Sequence, residues 1–570
     1  MLNKKQESYG YPSPLSTNEE KASVAYGLQY FKTMYYEWHN NSDIYFRDRK
    51  LRYSRNRSYA EGNQDVGKYK DLLDVGGDSS YLNIDWSPVS IIPKFVDVIV
   101  NGMVNQEYDV KAESIDPIAA NKRLEKKKQM LGDMLSKDFL ETLEDETGIP
   151  LAPNGFVAQS SEEVDMFMAL NYKQNVEIAL EKAIEYTLNI NDYDQVKRYM
   201  IRDLVVLGIC AAKTDLSPTS GLSIRYVDPS NLITSFSASA DFKNMKHAGE
   251  VYSMTIADLK QQAGDQFSEE DYIKIANEYA GKNNNPTYFD TTANYENGDN
   301  TYDYDKFSIN ILDAEFMTSH DLKYEKKDNK KGGYSVNKKP SNYKQPKNSK
   351  TNRKAIGSTV KVVYTGKYIV GSDYVFNYGL MKDMPRTKSN LSETRLSYIV
   401  YQPNLYKMKS RSLVDRMVPF ADQIQLAHLK IQHVLAKARP KGAAFEIGSL
   451  ENVSKGDGGT FTPMELQEIY DQTGNIYYRR IDDEGQMTGS MPIQELENGI
   501  GRDFGTLIGV YNHNMQMIRD VTGVNEARDA SKPSSEALVG VQKLSLLASN
   551  NATRDINDAY LKVLLFVCRT

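Results

Sequence analysis

Asp520 to Gly540 reads DVTGVNEARDASKPSSEALVG, a polar stretch of small residues and turn signals set between two long apolar-periodic segments. Ahead of it, Ile493, Leu496, Ile500, Phe504, Leu507, Tyr511 and Ile518 fall on one side of a helix expected to begin after Pro492. Beyond it, Pro533 opens a helix that Ser531 can cap and that Glu536 favours in its first turn. The seam of that helix is Leu538, Val541, Leu544, Ala548, Ala552, Ile556, Ala559, Val563 and Phe566, a rod of roughly 50 Å. Links between packed helices usually run about 2 to 8 residues. A longer polar loop at this place reads either as an ordinary helix connection or as an element that presents a surface of its own.

The helical signal continues upstream. Phe420, Ile424, Ala427, Ile431, Val434 and Ala438 recur at spacings of four and three, on a helix expected from near Pro419 to just before Pro440. Between the two seams lies a mixed segment with the strand-like run NIYYRRID. Nearer the N-terminus, Ile92, Phe95, Val96, Ile99 and Met103 share one face of a helix starting at Pro93, and EYDVKAES, residues 107–114, alternates as a strand. Asn121 to Glu146 is a charged, exposed helical pattern, and Asn171 to Val206 reads as two helices split at NINDYD. VVLGICAAKTDLS and LSIRYVDPSNL then form two strands around a Pro-Thr-Ser-Gly turn. Strands return at FSINILDAEFMT and at STVKVVYTGKYIVGSDYVFNYG, where two alternating runs flank a Thr365-Gly366 turn. The first eighty or so residues have weak periodicity and are expected to wrap a surface after a short helix near Tyr26 to His39.

Length and composition set the frame. A chain of 570 residues exceeds one hydrophobic core and implies roughly three to five domains or subdomains. No window approaches the roughly 18 apolar residues that cross a bilayer, and MLNKKQESYGYPSPLS lacks the apolar core of a signal peptide, so the expectation is a soluble chain that stays in the cytoplasm where it is made. Cys210 and Cys568 are too few for a disulfide scaffold or a zinc site and read as ordinary buried thiols. The net charge is −6, but Asp321 to Lys354 holds 12 basic and 3 acidic residues, which leaves −15 on the remainder. A basic segment therefore sits on an acidic body, and it reads as a loop held between strands.

The usual catalytic patterns are missing. Gly-Lys occurs at Gly67, Gly281 and Gly366 without the upstream glycine of a phosphate-binding loop. His428 and His433 are five apart, a spacing that suits helix-surface histidines better than a zinc pair. The Asp and Asn residues of 290–305 fail the calcium-loop spacing and read as a solvated turn. No serine-hydrolase elbow is present.

Four stretches carry a resemblance. They are PKFVDVIVNGMVNQEYDVKA, RDLVVLGICAAKTDL with LSIRYVDPSNLI, MKSRSLVDRMVPFADQIQLAHLKIQHVLAKARP with Ser412 ahead of its helix, and IRDVTGVNEARDASKPSSEALVG. In this order they resemble the portal proteins of tailed bacteriophages, most closely those of crAss-like phages, over roughly residues 85 to 566. The resemblance implies an α+β portal fold, mainly helical, with a β-containing wing and clip, that forms a ring. Its parts would be an extended N-terminal arm over 1–85, a first wing part over 86–250, and stem with β-rich clip and basic loop over 251–410. A stem helix over 411–440, a second wing part over 441–519, a tunnel loop over 520–537 and a long helix over 538–570 complete it. Portal chains often continue into a crown, which this one would have in minimal form or lack.

The implied function is the channel at one capsid vertex, a homo-oligomer of roughly twelve copies through which double-stranded DNA is packaged and ejected. The implied partners are the DNA itself in weak, sliding contact, the major capsid protein, the terminase that hydrolyses ATP, and head-tail adaptor and tail proteins. No catalysis, cofactor, metal or membrane contact is implied, and the place is the virion after assembly in the host cytoplasm. In this frame Asn525, Arg528 and Lys532 of the tunnel loop face DNA, with Gly523 and Pro533 fixing its turns. Lys330, Lys331, Lys338 and Lys339 form the basic part of the clip, facing DNA or an acidic docking partner; a solvated insertion is the plain alternative. Another head-tail connector ring, or a nucleic-acid-processing enzyme, are the competing readings of the whole chain.

Overall fold

The computed structural model describes residues 10–39, 44–73, 84–147, 157–217, 221–280, 308–328, 333–340, 343, 353–386, 390–406, 408–409, 411–437, 442–446, 463–478, 493–496, 502–525, 528 and 547–569. The fold is α+β. At the N-terminus, α1 (Asn18–Lys21) is a single turn fixed by a capping box in which Thr17 Oγ1 accepts from the Glu20 N–H and the Glu20 carboxylate accepts from the Thr17 N–H. Helices α2 (Val24–His39), α3 (Ile44–Glu61) and α4 (Lys70–Leu73) follow, then α5 (Ile92–Val104). α5 buries Phe95, Val96, Ile99 and Met103 on one face, as the spacing predicts.

Helices α6 (Pro117–Thr147), α7 (Ser161–Leu170), α8 (Asn175–Ile190) and α9 (Tyr193–Val206) lead into a hairpin of β1 (Cys210–Ser217) and β2 (Gly221–Tyr226), antiparallel with Ala212 opposite Tyr226. Next come β3 (Leu232–Thr234), β4 (His247–Met254), α10 (Ile256–Ala263) and α11 (Glu269–Ala280). A long hairpin pairs β5 (Ile309–Asp328) with β7 (Arg353–Ile369), and β6 (Tyr334–Lys339) joins the outer part of β5. β8 (Val375–Leu380), β9 (Tyr398–Tyr401) and α12 (Leu413–Lys437) follow. The remainder is β10 (Gly442–Glu446), α13 (Pro463–Thr473), β11 (Ile476–Tyr478), β12 (Ile493–Leu496), α14 (Arg502–Thr522) and α15 (Arg554–Arg569).

Among the described residues the strands form three sheets. One has the order β2-β1-β9, one β3-β4-β5-β7-β8 with β6 on β5, and a small one β11-β10-β12 in which only β10 and β11 run parallel. The main core lies where α5, α9, α12 and α15 meet the first sheet, with Phe95, Ile99, Leu204, Val205, Ile424 and Val563 fully enclosed. Each such side chain contributes about 1.5–3 kcal/mol through removal from water.

Buried charge joins the first sheet to the second. Lys213 of β1 donates to Asp313 of β5 at 2.6 Å, both side chains being almost wholly enclosed. Arg225 of β2 pairs with Glu250 of β4 and lies 3.6 Å from Asp313. The Tyr398 hydroxyl donates to the Asp313 carbonyl at 2.9 Å, and Glu315 accepts from the Ser397 N–H at 2.8 Å and from its hydroxyl. Burial works against charge on Lys213 and Asp313, yet their mutual attraction outweighs it, so the lysine stands above its ordinary pKa and the aspartate below. Glu315 is pushed up by burial.

Several elements differ from expectation, each for a local reason. EYDVKAES forms no strand: the Ala112 and Ser114 N–H groups bond to the carboxylates of Glu181 and Glu177 on α8, at 3.1 and 2.9 Å, in place of a partner strand. Thr365-Gly366 is not a turn. β7 runs through it with a register shift, and the turn comes at residues 370–374, where Gly371 has φ +81. Gly366 is required by close approach, since a Cβ there would stand 2.9 Å from the Phe31 ring of α2. α12 begins at Leu413, ahead of Pro419, because Ser412 and Asp415 cap each other's N–H groups at 3.0 Å. The stretch after Pro492 is first strand β12, antiparallel to β10, and α14 starts only at Arg502. The first eighty residues carry α3 as well as α2, and α10, α11 and α13 are further helices that the pattern did not disclose. The 290–305 turn lies outside the described residues.

α3 buries Tyr53, Tyr59 and Ala60 in the main core and is held by polar contacts as well. Asn56 donates to the Val206 carbonyl at 3.2 Å and to Ser412 Oγ at 3.1 Å, and Arg57 pairs with Asp228 at 2.6 Å and Asp203 at 3.5 Å. Asp203 also accepts from the Tyr226 hydroxyl. Burial pushes the Asp203 carboxyl up to about 7, against the pull of Arg57 and with help from Asp228. An unfolded aspartate titrates near ~3.9. From about pH 4 to about pH 7 the folded chain therefore binds one proton more at this site, and the stability it contributes falls as pH rises through that window. Asp203→Asn, neutral throughout, should gain in melting temperature relative to the parent from pH 4 to 7 and hold a constant difference above; thermal melts at stepped pH with no such divergence would contradict the assignment.

Candidate nucleic-acid interface

The loop after α14 is anchored at both described ends. Thr522 Oγ1 donates to the Ile518 carbonyl at 2.8 Å, and Gly523 takes φ +68, ending the helix. A Cβ at Gly523 would sit 2.3 Å from the Ala552 Cβ, so the glycine also lets the C-terminal segment close onto the end of α14. Val524 is fully buried. Asn525 accepts the Arg528 N–H through its carbonyl at 3.0 Å and its Oδ1 at 3.2 Å.

Arg528 turns inward. Its Nη1 donates to the Ser549 carbonyl and to Thr553 Oγ1, both at 3.0 Å, and burial lowers its pKa from the usual arginine value. The guanidinium thus staples the loop to the C-terminal segment, where residues 547–552 are helical, Thr553 is a turn and α15 begins at Arg554. A single unbroken seam from Leu538 to Phe566 is therefore interrupted at Thr553. Asn525 and Arg528 are brought together; Lys532, Pro533 and the rest of the seam up to residue 546 lie outside the described residues.

The basic segment is a β-ribbon over much of its length. β5 continues to Asp328, with β6 on one side and the start of β7 on the other, Lys323 opposite Lys339 and Lys327 opposite Arg353. Lysine and asparagine are poor strand formers, so the sequence reads as loop; the register is imposed by the long β5–β7 hairpin beneath. Lys339 is spent inside the ribbon, pairing with buried Glu325 at 3.1 Å, which also accepts from the Tyr343 hydroxyl at 2.8 Å. Lys326 stacks over the Tyr334 ring at 4.0 Å. Lys338 points into solvent, whereas Lys330 and Lys331 lie outside the described residues. The loop residues and the ribbon lysines belong to different parts of the fold.

Among the described residues no group of three or more His, Cys, Asp or Glu could hold a metal ion, and no helix is long and apolar enough to cross a membrane. The buried Lys213–Asp313 constellation is what the sequence reading missed. Its signal is the charge in ILDAEFM, where Asp313 and Glu315 alternate with Leu312, Ala314 and Phe316 in a strand enclosed on both faces.

Arg528→Ala should cost about 1–3 kcal/mol in denaturant unfolding through the unpaired Ser549 carbonyl, and should raise amide exchange over residues 547–553. Unchanged stability together with weakened DNA binding would instead return Arg528 to a DNA-facing role. No protein-family model matches the chain, and a search of curated proteins finds no match.

Proposed function

We propose that this chain is a portal-vertex subunit of a tailed phage, one of a dodecameric ring that conducts double-stranded DNA during packaging and ejection and carries the docking platform for terminase and tail. The observation that carries the reading is the helix pair α12 and α14. They pack side by side, yet Ile508 and Val510 of α14 remain open to solvent, leaving apolar area for a neighbouring copy to cover. The order of helix, hairpin, helix pair and pinned polar loop along the chain supports the same reading. So does a basic ribbon on an otherwise acidic chain, which gives a local site for an acidic partner while the body does not grip phosphate.

In this scheme the subunit does no chemistry. Its side chains shape an aperture, and ATP hydrolysis belongs to the docking terminase. Electron microscopy of the purified full-length protein should show a flanged ring of twelve subunits with an axial hole that admits a duplex. A monomer at micromolar concentration, or a ring too narrow for DNA, removes the proposal, and metal-dependent nuclease or ATPase turnover by the chain would replace it with the enzyme reading.

A further inference from the structure

Helices α6, α7 and α8 form an arm with little core of its own. One face of α6 packs on α7 through Met130, Val164 and their neighbours. Another face carries Leu124, Leu135 and Phe139, spaced eleven and four apart and therefore aligned along the helix. α8 carries a second stripe, in which Leu180 and Ile190 follow Val176 by four and fourteen residues. Each of these six side chains is 47% exposed or more. The two helices are fixed to each other by Arg123, 2.8 Å from the buried Glu177 carboxylate, and by the Gln174 amide, which donates to the Ala119 carbonyl at 2.7 Å. Aligned apolar side chains on one arm differ from the scattered exposed residues that any surface has.

Charge says what covers them. Near its N-terminus α6 reads KRLEKKK, residues 122–128, with five basic residues and one acidic; near its C-terminus it reads DFLETLEDE, residues 138–146, with five acidic residues and no basic one. This is the reverse of what the helix dipole favours, since cations stabilise the C-terminal end and anions the N-terminal end. The arrangement therefore does not serve the isolated helix. Arg123 and Lys127 are paired within the chain, to Glu113 and Glu177 and to Asp165, but Lys122, Lys126 and Lys128 have no carboxylate partner among the described residues. A helix with a basic half, an acidic half and an apolar stripe is complementary to a copy of itself displaced or reversed along its axis.

We propose that the α6–α8 arm is a contact surface for a second copy of this chain, the basic half of one α6 facing the acidic half of the next and the Leu124–Leu135–Phe139 stripe buried between them. The expectation that such contacts close into a ring rests on the portal reading; the surface itself does not. Such a contact is heterologous when the copies are displaced and isologous when they are reversed, and only the first propagates around a ring. Because part of its attraction is between exposed charges, it weakens with added salt.

The test uses two charge reversals in the full chain, K122E/K126E/K128E and E141K/E144K/D145K, followed by native mass spectrometry and sedimentation. Each alone should shift assembly to at least ten-fold higher protein concentration, through like charges facing each other. An equimolar mixture of the two should co-assemble, and a chain with both reversals should assemble again as the parent does. That rescue separates a broken contact from a broken fold. Assembly unaffected by either reversal, or lost and not restored by combining them, overturns the proposal. A particle of two copies that obeys the same charge rules would keep this surface and remove the ring.

Discussion

The Lys213–Asp313 ion pair is the constraint on which the rest of the architecture turns. Two full charges out of water are tolerable only in each other's company, and leaving either alone costs about 3–5 kcal/mol. The pair therefore fixes β1 against β5, and with it the whole first sheet against the second. β5 carries that pair near its root and the basic ribbon at its far end, on a strand of 20 residues, roughly 66 Å in extended form. The position of the ribbon is thus set by a joint a long way from it. Arg225, Glu250, Glu315 and Tyr398 close the same joint from β2, β4, β5 and β9, so no single strand can slip without exposing charge.

A second class of contact holds the helices. α3 is bound through Asn56 and Arg57, and the end of α14 is tied to the C-terminal segment by Arg528. α2 lies on the second sheet through aromatic stacking, with Tyr30 and Phe316 ring centroids 4.1 Å apart and Gly27 and Gly366 removing the side chains that would keep Tyr378 and Phe31 away. Apolar burial supplies most of the stabilisation in the main core. Polar contacts decide which surfaces meet.

That division explains what could be read from the sequence. α5, the α8–α9 pair and the β1–β2 hairpin are legible because their apolar spacing is their reason for existing. α3 is hard to read, because Arg49 and Asn56 interrupt the buried face that Tyr53, Tyr59 and Ala60 complete. The strands of the ribbon hide behind lysines whose register is dictated elsewhere, and Gly366 gives a turn signal although its real task is to admit Phe31. For the candidate interface the sequence placed Asn525 and Arg528 in one loop, as found, but the direction of a side chain does not follow from its type: Arg528 is directed at Ser549 and Thr553, and only the fold could say so. Lys338 and Lys339, adjacent in sequence and alike in charge, differ for the same reason, one in solvent and the other paired with Glu325.

The physical idea beneath the proposed function is that a duplex must slide, and every phosphate neutralised adds affinity and therefore drag. In the proposed role, an acidic body with its arginine turned inward would meet that requirement, and a basic ribbon set apart from the loop would keep docking separate from conduction. The most direct test is a salt titration of duplex binding by the assembled protein. The account predicts affinity no tighter than about 10⁻⁴ to 10⁻⁶ M at physiological salt and a shallow dependence of log K on log salt. Nanomolar binding with a steep salt slope would contradict it.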